Sequence, residues 1–135
     1  MQISLNELFD IPSSTPQQRK LGGKGTHPTE GLRYARAAWQ ALLEKHRPTR
    51  PMEGPVRLNV TLLYHVKRKA PFFAPKTTRP DGDNLLKIIK DAATRAGWWF
   101  DDAQVFREQI ARYQTSGEET VTIRAWEAEE DEKLW

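Results

Sequence analysis

Residues 79–102 read RPDGDNLLKIIKDAATRAGWWFDD, and the fold follows from how this stretch is divided. Leu85, Leu86, Ile89, Ala92, Ala93 and Ala96 recur at helical spacing and form one apolar stripe. Asp83, Lys87, Lys90, Asp91 and Thr94 fall on the other side. The spacing predicts a helix from Asp83, read as its cap, to Ala96, with Gly97 as its stop. Such a helix is about 20 Å long at 1.5 Å per residue. Carboxylates stand at both of its ends: Asp81 and Asp83 before it, Asp101 and Asp102 after it. Trp98, Trp99 and Phe100 read as core, and the chain must double back beyond Gly97 if Asp102 is to reach Asp83.

The flanking segments supply the rest of the fold. Thr29 is placed to cap a first helix reaching to about His46, with Leu32, Ala35, Trp39, Leu42 and Leu43 at helical spacing. Residues 56–66 read as a strand, with Val56, Leu58, Val60, Leu62 and Tyr64 alternating against Arg57, Asn59, Thr61, Leu63 and His65. Residues 104–113 and 119–126 read as two more strands joined through Thr115, Ser116 and Gly117, and residues 3–9 as a short fourth. Trp39 and Trp126 are read onto the apolar faces of their elements. The expected architecture is α+β: one small mixed sheet of three to four strands with two main helices packed on it. A single domain is expected over 1–126, with an irregular arm at 11–28, a Pro-rich loop at 67–80 and an acidic tail at 127–135.

Charge distribution narrows the function. The chain of 135 residues carries a net +3, yet without residues 127–135 it holds 20 basic against 13 acidic residues. Residues 54–80 contain Arg57, Lys67, Arg68, Lys69, Lys76 and Arg79 and no acid, an electrostatic footprint suited to a polyanion or else a solvated loop. There is no cysteine, which excludes disulfides, thiolate metal sites and a cysteine nucleophile, and suits a reducing cytoplasm. No apolar run approaches the ~20 residues of a membrane span, and the mixed, acidic start MQISLNELFD is not a signal peptide.

Clustered carboxylates repel one another unless a cation sits among them. Oxygen ligands without His or Cys suit Mg²⁺, or Mn²⁺ in its place. Such an ion can activate water and offset the charge that builds during phosphodiester hydrolysis. Lys87 lies four residues after Asp83 on the same helix face, where it can meet the same phosphate. The plainer alternatives are that the acids are turn formers and caps, or that the chain is a non-catalytic nucleic-acid-binding module using its basic 54–80 segment. Chemistry alone does not choose between Asp101 and Asp102.

Together these residues resemble the RusA family of Holliday-junction resolvases. The family pattern is a basic residue, Asp-x-Asp-Asn-Leu, a Lys four residues after the second Asp, then Gly-aromatic-aromatic and Asp-Asp-Ala-Gln-Val. Here stand Arg79, Asp81-Gly82-Asp83-Asn84-Leu85, Lys87, and Gly97-Trp98-Trp99-Phe100-Asp101-Asp102-Ala103-Gln104-Val105. The resemblance is strong over 79–105 and looser over 26–126. It implies a homodimeric, Mg²⁺-dependent endodeoxyribonuclease that resolves four-way junction DNA by paired phosphodiester cuts in recombination and repair. It implies a cytoplasmic, bacterial or prophage-encoded protein. It also implies that Asp81, Asp83 and Asp102 are metal-binding and catalytic, that Lys87 is catalytic, and that Asp102 outranks Asp101.

Around that site, Lys67, Arg68, Lys69, Lys76 and Arg79 are the expected DNA-binding residues, with Arg19, Lys20 and Lys24 of the arm as a further phosphate contact. Phe72 and Phe73 are candidates for a wedge at an opened junction. His27, His46 and His65 lack partners at ligand spacing and read as structural or surface residues. The family's opening Pro-Ser-x-Asn turn is only echoed by Ile11-Pro12-Ser13-Ser14.

Overall fold

A computed structural model describes residues 1–13, 19–22, 25–70 and 74–128. The strands are β1 (Gln2–Leu8), β2 (Arg19–Gly22), β3 (Gly25–Pro28), β4 (Val56–His65), β5 (Ala74–Pro75), β6 (Val105–Thr115) and β7 (Thr120–Glu127). The helices are α1 (Glu30–Glu44) and α2 (Gly82–Ala96), and a short 3-10 turn covers Asp102–Gln104. Five strands form one mixed sheet in the order β1-β7-β4-β6-β5. The α+β expectation holds, with one more strand than expected because the two residues of β5, inside the Pro-rich loop, pair with the end of β6. The arm expected to be irregular contains a small hairpin of its own, Arg19–Gly22 paired with Gly25–Pro28. The acidic residues beyond Ala128 and the aromatic pair Phe72–Phe73 lie outside the described residues.

β4 and β6 run parallel, paired from Val56 with Val105 to His65 with Thr115. Parallel neighbours need a crossover, and α2 supplies it. β7 is antiparallel to β4, and β1 to β7. The alternation read from β4 is the observed one: Val56, Leu58, Val60 and Leu62 are buried under the helices and their neighbours are half-exposed. α1 contributes Leu32, Ala35, Trp39, Leu42 and Leu43 to this core, and α2 contributes Leu85, Ile88, Ile89, Ala92, Ala93 and Ala96. Ile88 lies outside the stripe read from sequence, because α2 is pressed between α1 and the sheet and buries a wider arc.

Two of the three aromatics after α2 are core as expected. The Trp98 indole donates to the Leu43 carbonyl (2.8 Å) and the Trp99 indole to Thr94 Oγ1 (2.7 Å), so each buried N–H is paired. Phe100 is not core: it is 65% exposed. Trp126 is also corrected. Val121, Ile123 and Ala125 of β7 are buried, so period-two geometry sends Trp126 to the other face of the sheet. His46 and His65 have structural partners, the Glu7 carboxylate (2.8 Å) and the Gly117 carbonyl (2.7 Å).

Gly97 ends α2 in the left-handed region (φ 86°), with its N–H bonded back to the carbonyls of Ala93 and Thr94. A methyl added there meets no atom within 4 Å, so Gly97→Ala isolates the backbone cost and should destabilise the fold by about 1 kcal/mol in chemical denaturation. Glu7 on β1 binds both Lys45 and His46 at the end of α1, and hydrogen bonds from these two hold its carboxyl below the usual 4.5. A depressed carboxyl stabilises the fold above its unfolded value and loses that contribution as pH falls. Glu7→Gln should therefore cost a few tenths of a kcal/mol at pH 7, a small value because the pair is solvent-screened. The difference between mutant and parent melting curves should be present at neutral pH and shrink as the pH falls below the usual carboxyl range.

Candidate active site

The start of α2 is set by contacts with β6. Gly82 packs so close to that strand that a Cβ in its place would lie 3.1 Å from Ile110 Cγ2. Beside it, Arg112 Nη1 donates to the carbonyls of Thr78 (2.9 Å) and Pro80 (2.7 Å), fixing the backbone immediately before the helix. The Lys76 N–H donates to the Arg112 carbonyl (3.0 Å), closing the loop onto the same residue. Nothing in the sequence singles out Arg112, an arginine in the middle of a strand. Its role is visible only once the loop is seen to fold across it.

The helix begins two residues earlier than its apolar pattern suggests, and the cap position belongs to Asp81 rather than Asp83. Asp81 has the extended backbone of a cap (φ −70°, ψ 149°), but its side chain makes no capping hydrogen bond. Its carboxylate is left to other uses, which weakens the reading of these acids as mere helix caps. Asp83 lies exposed in the first turn and Lys87 exposed one turn on. Asn84 between them is buried at 9% exposure, and Leu85 is fully buried, so the Asp-x-Asp-Asn-Leu run points its acids outward while anchoring itself inward. Carboxylates at a helix N-terminus also lie at the favourable end of its dipole.

At the other end of α2 the adjacent acids take different jobs. Asp101 Oδ1 accepts the Ala103 N–H (2.9 Å), and Gln104 Oε1 in turn accepts the N–H groups of Phe100 and Asp101, both at 2.9 Å. This is a reciprocal capping box on the 3-10 turn. The Gln104 amide also donates to the carbonyls of Met52 (2.8 Å) and Gly54 (3.0 Å), tying the turn to the segment before β4. The Asp102 carbonyl accepts the Val105 N–H, but its exposed carboxylate enters no hydrogen bond or ion pair among the described residues. The geometry thus separates the two acids that composition could not.

The topology does not fold Asp102 back to Asp83 within one chain. Asp102 precedes β6, whereas α2 starts beside Ile110 and Arg112. Five steps along the strand separate Val105 from Ile110, about 16 Å of extended chain. Among the described residues no three His, Cys, Asp or Glu side chains are grouped to hold a metal ion. Asp81, Asp83 and Lys87 thus stand together at one end, and Asp102 stands at the other.

The basic loop is at the α2 start. Lys67, Arg68, Lys69 and Arg79 are exposed, with Arg68 Nη2 on Gln114 Oε1 (2.7 Å). Lys76 is partly buried: its Nζ donates to Thr78 Oγ1 (2.7 Å) and lies 4.7 Å from the centre of the Tyr64 ring. Burial, and then the neighbouring Arg112 charge, push its pKa down. Lys76 is thereby a positioning residue of the loop more than an outward phosphate contact. The side chains of Arg19, Lys20, Lys24 and His27 lie outside the described residues.

The chain is thus an α+β protein whose open mixed sheet carries a helix presenting two acids and a lysine beside a basic loop. The family model described as "Endodeoxyribonuclease RusA" matches residues 10–124, and the chain belongs to that family. It is 38% identical over 68 residues to the crossover junction endodeoxyribonuclease of Lactococcus phage r1t, covering 49% of this chain and 52% of that protein. It is 40% identical over 55 residues to the proteins of the same name in Escherichia coli K12 and Enterobacteria phage 82, covering 41% of this chain and 46% of each. The chain spans about half the length of the curated relatives it matches. Among the described residues no helix is long and apolar enough to cross a membrane.

The different jobs of the two adjacent acids are open to a direct measurement. Asp101→Ala removes a cap and should lower stability by about 1 kcal/mol. Asp102→Asn should leave the denaturation midpoint within about 0.5 kcal/mol of the parent. Equal losses in both would contradict the division of roles.

Proposed function

We propose that this protein is a cytoplasmic, metal-dependent endodeoxyribonuclease that resolves four-way DNA junctions as a homodimer. The observation that carries the reading is the disposition of its acids. Asp81 occupies a cap position without a capping side-chain hydrogen bond, the Asp102 side chain stands unpaired among the described residues beside an Asp101 that does the capping, and both lie within the residues that the family model matches. The hard oxygen donors of Asp81 and Asp83 fit Mg²⁺ or Mn²⁺. When bound, the ion would supply charge neutralisation for the attacked phosphate and its leaving oxygen.

The homodimer also accounts for where Asp102 lies. Two antiparallel copies of α2 related by a two-fold axis bring the start of one helix to the end of the other. In our reading each site takes Asp81, Asp83 and Lys87 from one protomer and Asp102 from its partner. Lys87 would hold the non-bridging oxygens of the phosphate, one turn along from the metal-binding carboxylates. Lys67, Arg68, Lys69 and Arg79 would hold the flanking backbone. Two such sites across one axis match the two strands that must be cut in a two-fold junction.

Two experiments test this. A synthetic four-way junction should be nicked with Mg²⁺ and left intact with EDTA, and Asp83→Asn should cut at least ~100-fold more slowly while binding as well or better. Binding without nicking by the parent chain would leave only the non-catalytic module. The second experiment mixes Asp83→Asn with Asp102→Asn after subunit exchange. If the site is shared, each mixed dimer contains one site with both acids intact, and single nicks return. If each site is built from one chain, both sites of the mixed dimer are damaged and no nicking returns.

A further inference from the structure

Among the described residues, the helices cover only one face of the five-stranded sheet. The other face is built from the side chains that alternate with the core: Arg57, Asn59, Thr61 and Leu63 of β4, and their register partners on β6 and β7. One row across it runs Trp126–Arg57–Arg107, and the next runs Arg124–Asn59–Gln109. Continued through β1 with Gln2, Ser4, Asn6 and Leu8, this face carries no Asp or Glu on β1, β7, β4 or β6. The acids of these strands, Glu7, Glu108 and Glu127, alternate onto the helix side, where Glu7 and Glu108 pair with Lys45 and Lys90. A face that gathers arginines and excludes acids has the charge complement of a polyanion.

Its arginines are also pre-ordered. The Arg57 guanidinium lies 5.8 Å and that of Arg124 5.3 Å from the centre of the Trp126 ring. Stacking on indole restrains a guanidinium. The ring is thereby occupied by the two cations and is not offered to a base, which favours a double helix held by its backbone over a stacked single strand. Four strands spaced about 4.8 Å apart give a platform ~15 Å wide, enough to seat one duplex backbone.

We infer that this uncovered sheet face is a second DNA-docking surface, on which Arg57, Arg107 and Arg124 hold the phosphates of a duplex arm away from the cut. It rests on the DNA-cleaving reading above, and extends it from the basic loop to the opposite end of β4 and β6. Arg107 lies five residues beyond Asp102, so an arm held there is on the same end of the sheet as that acid.

The test uses the full chain in Ca²⁺ or EDTA, with four-way junction and with a plain duplex, over a salt series. Arg107→Gln combined with Arg124→Gln should weaken duplex-arm binding several-fold and lower the slope of log K against log salt by about 1.8, about 0.9 for each phosphate that the protein no longer neutralises. Arg107→Lys with Arg124→Lys should restore most of that slope. Arg33→Gln with Arg36→Gln, an equal charge reduction on α1, should leave it unchanged. An unchanged slope in the first pair, or an equal fall in the α1 pair, would overturn the inference. So would a change in oligomeric state of the first pair by light scattering, which would make the face a contact between copies. A parent chain that binds no junction at all would instead overturn the nuclease reading on which the inference stands.

Discussion

The parallel pairing of β4 with β6 is the constraint from which the rest of this structure follows. Antiparallel strands can be joined by a tight turn, but parallel strands cannot, and the chain must travel the length of the sheet and return. α2 makes that return. Its start is therefore fixed at the finishing end of β4 and its close at the beginning of β6. The acids before and after the helix are parted by the same necessity. Any chemistry that needs Asp81, Asp83 and Asp102 together has to overcome a separation imposed by topology, and a second copy of the chain is the economical way to do so.

What keeps the start of α2 in place is a small set of contacts around Arg112. Its guanidinium reaches two carbonyls of the loop, and Gly82 lets the helix settle against Ile110. A side chain at position 82 would have to push that contact apart, so the middle residue of Asp-Gly-Asp serves packing while its neighbours stay exposed. The arrangement places rigid backbone under Asp81, and rigid support beneath a ligand is what lets a carboxylate hold a metal without reorganising.

Much of this is legible in the sequence, for reasons that can be stated. The core faces of α1, α2, β4 and β7 are readable because periods of 3.6 and 2 are imposed by backbone geometry. The capping role at Gly97 is readable because only glycine takes its conformation without strain. The misreadings have equally definite causes. The bulk of Trp126 argues for the core, although its parity with Arg124 puts it outside. An Asp before an apolar run looks like a cap, so Asp83 draws the start of α2 to itself. The first helical residue is a glycine that carries no pattern. The two arm strands are a short local hairpin of four residues each, and β5 pairs with a distant stretch of β6, and both pairings rest on backbone hydrogen bonds that leave little mark on residue type. Arg112 and the arginine face are illegible because their meaning comes from neighbours across strands, not along the chain.

Under the proposed function, the charge layout makes physical sense of a protein that would approach a polyanion with exposed acids. Asp81, Asp83 and Asp102 would repel a phosphate unless a cation intervenes, and a site without its metal would discourage unproductive approach. In the proposed reading, binding would be supplied from elsewhere, by Lys67, Arg68, Lys69 and Arg79 beside one end of α2 and by the arginines of the other sheet face beyond the other. With the attraction at the flanks and the acids at the proposed point of cutting, a bound metal would decide when the phosphate can draw near. Replacing one acid by its amide removes repulsion and ligand together, so affinity and cleavage should move in opposite directions. A protein whose acids were caps would show neither change.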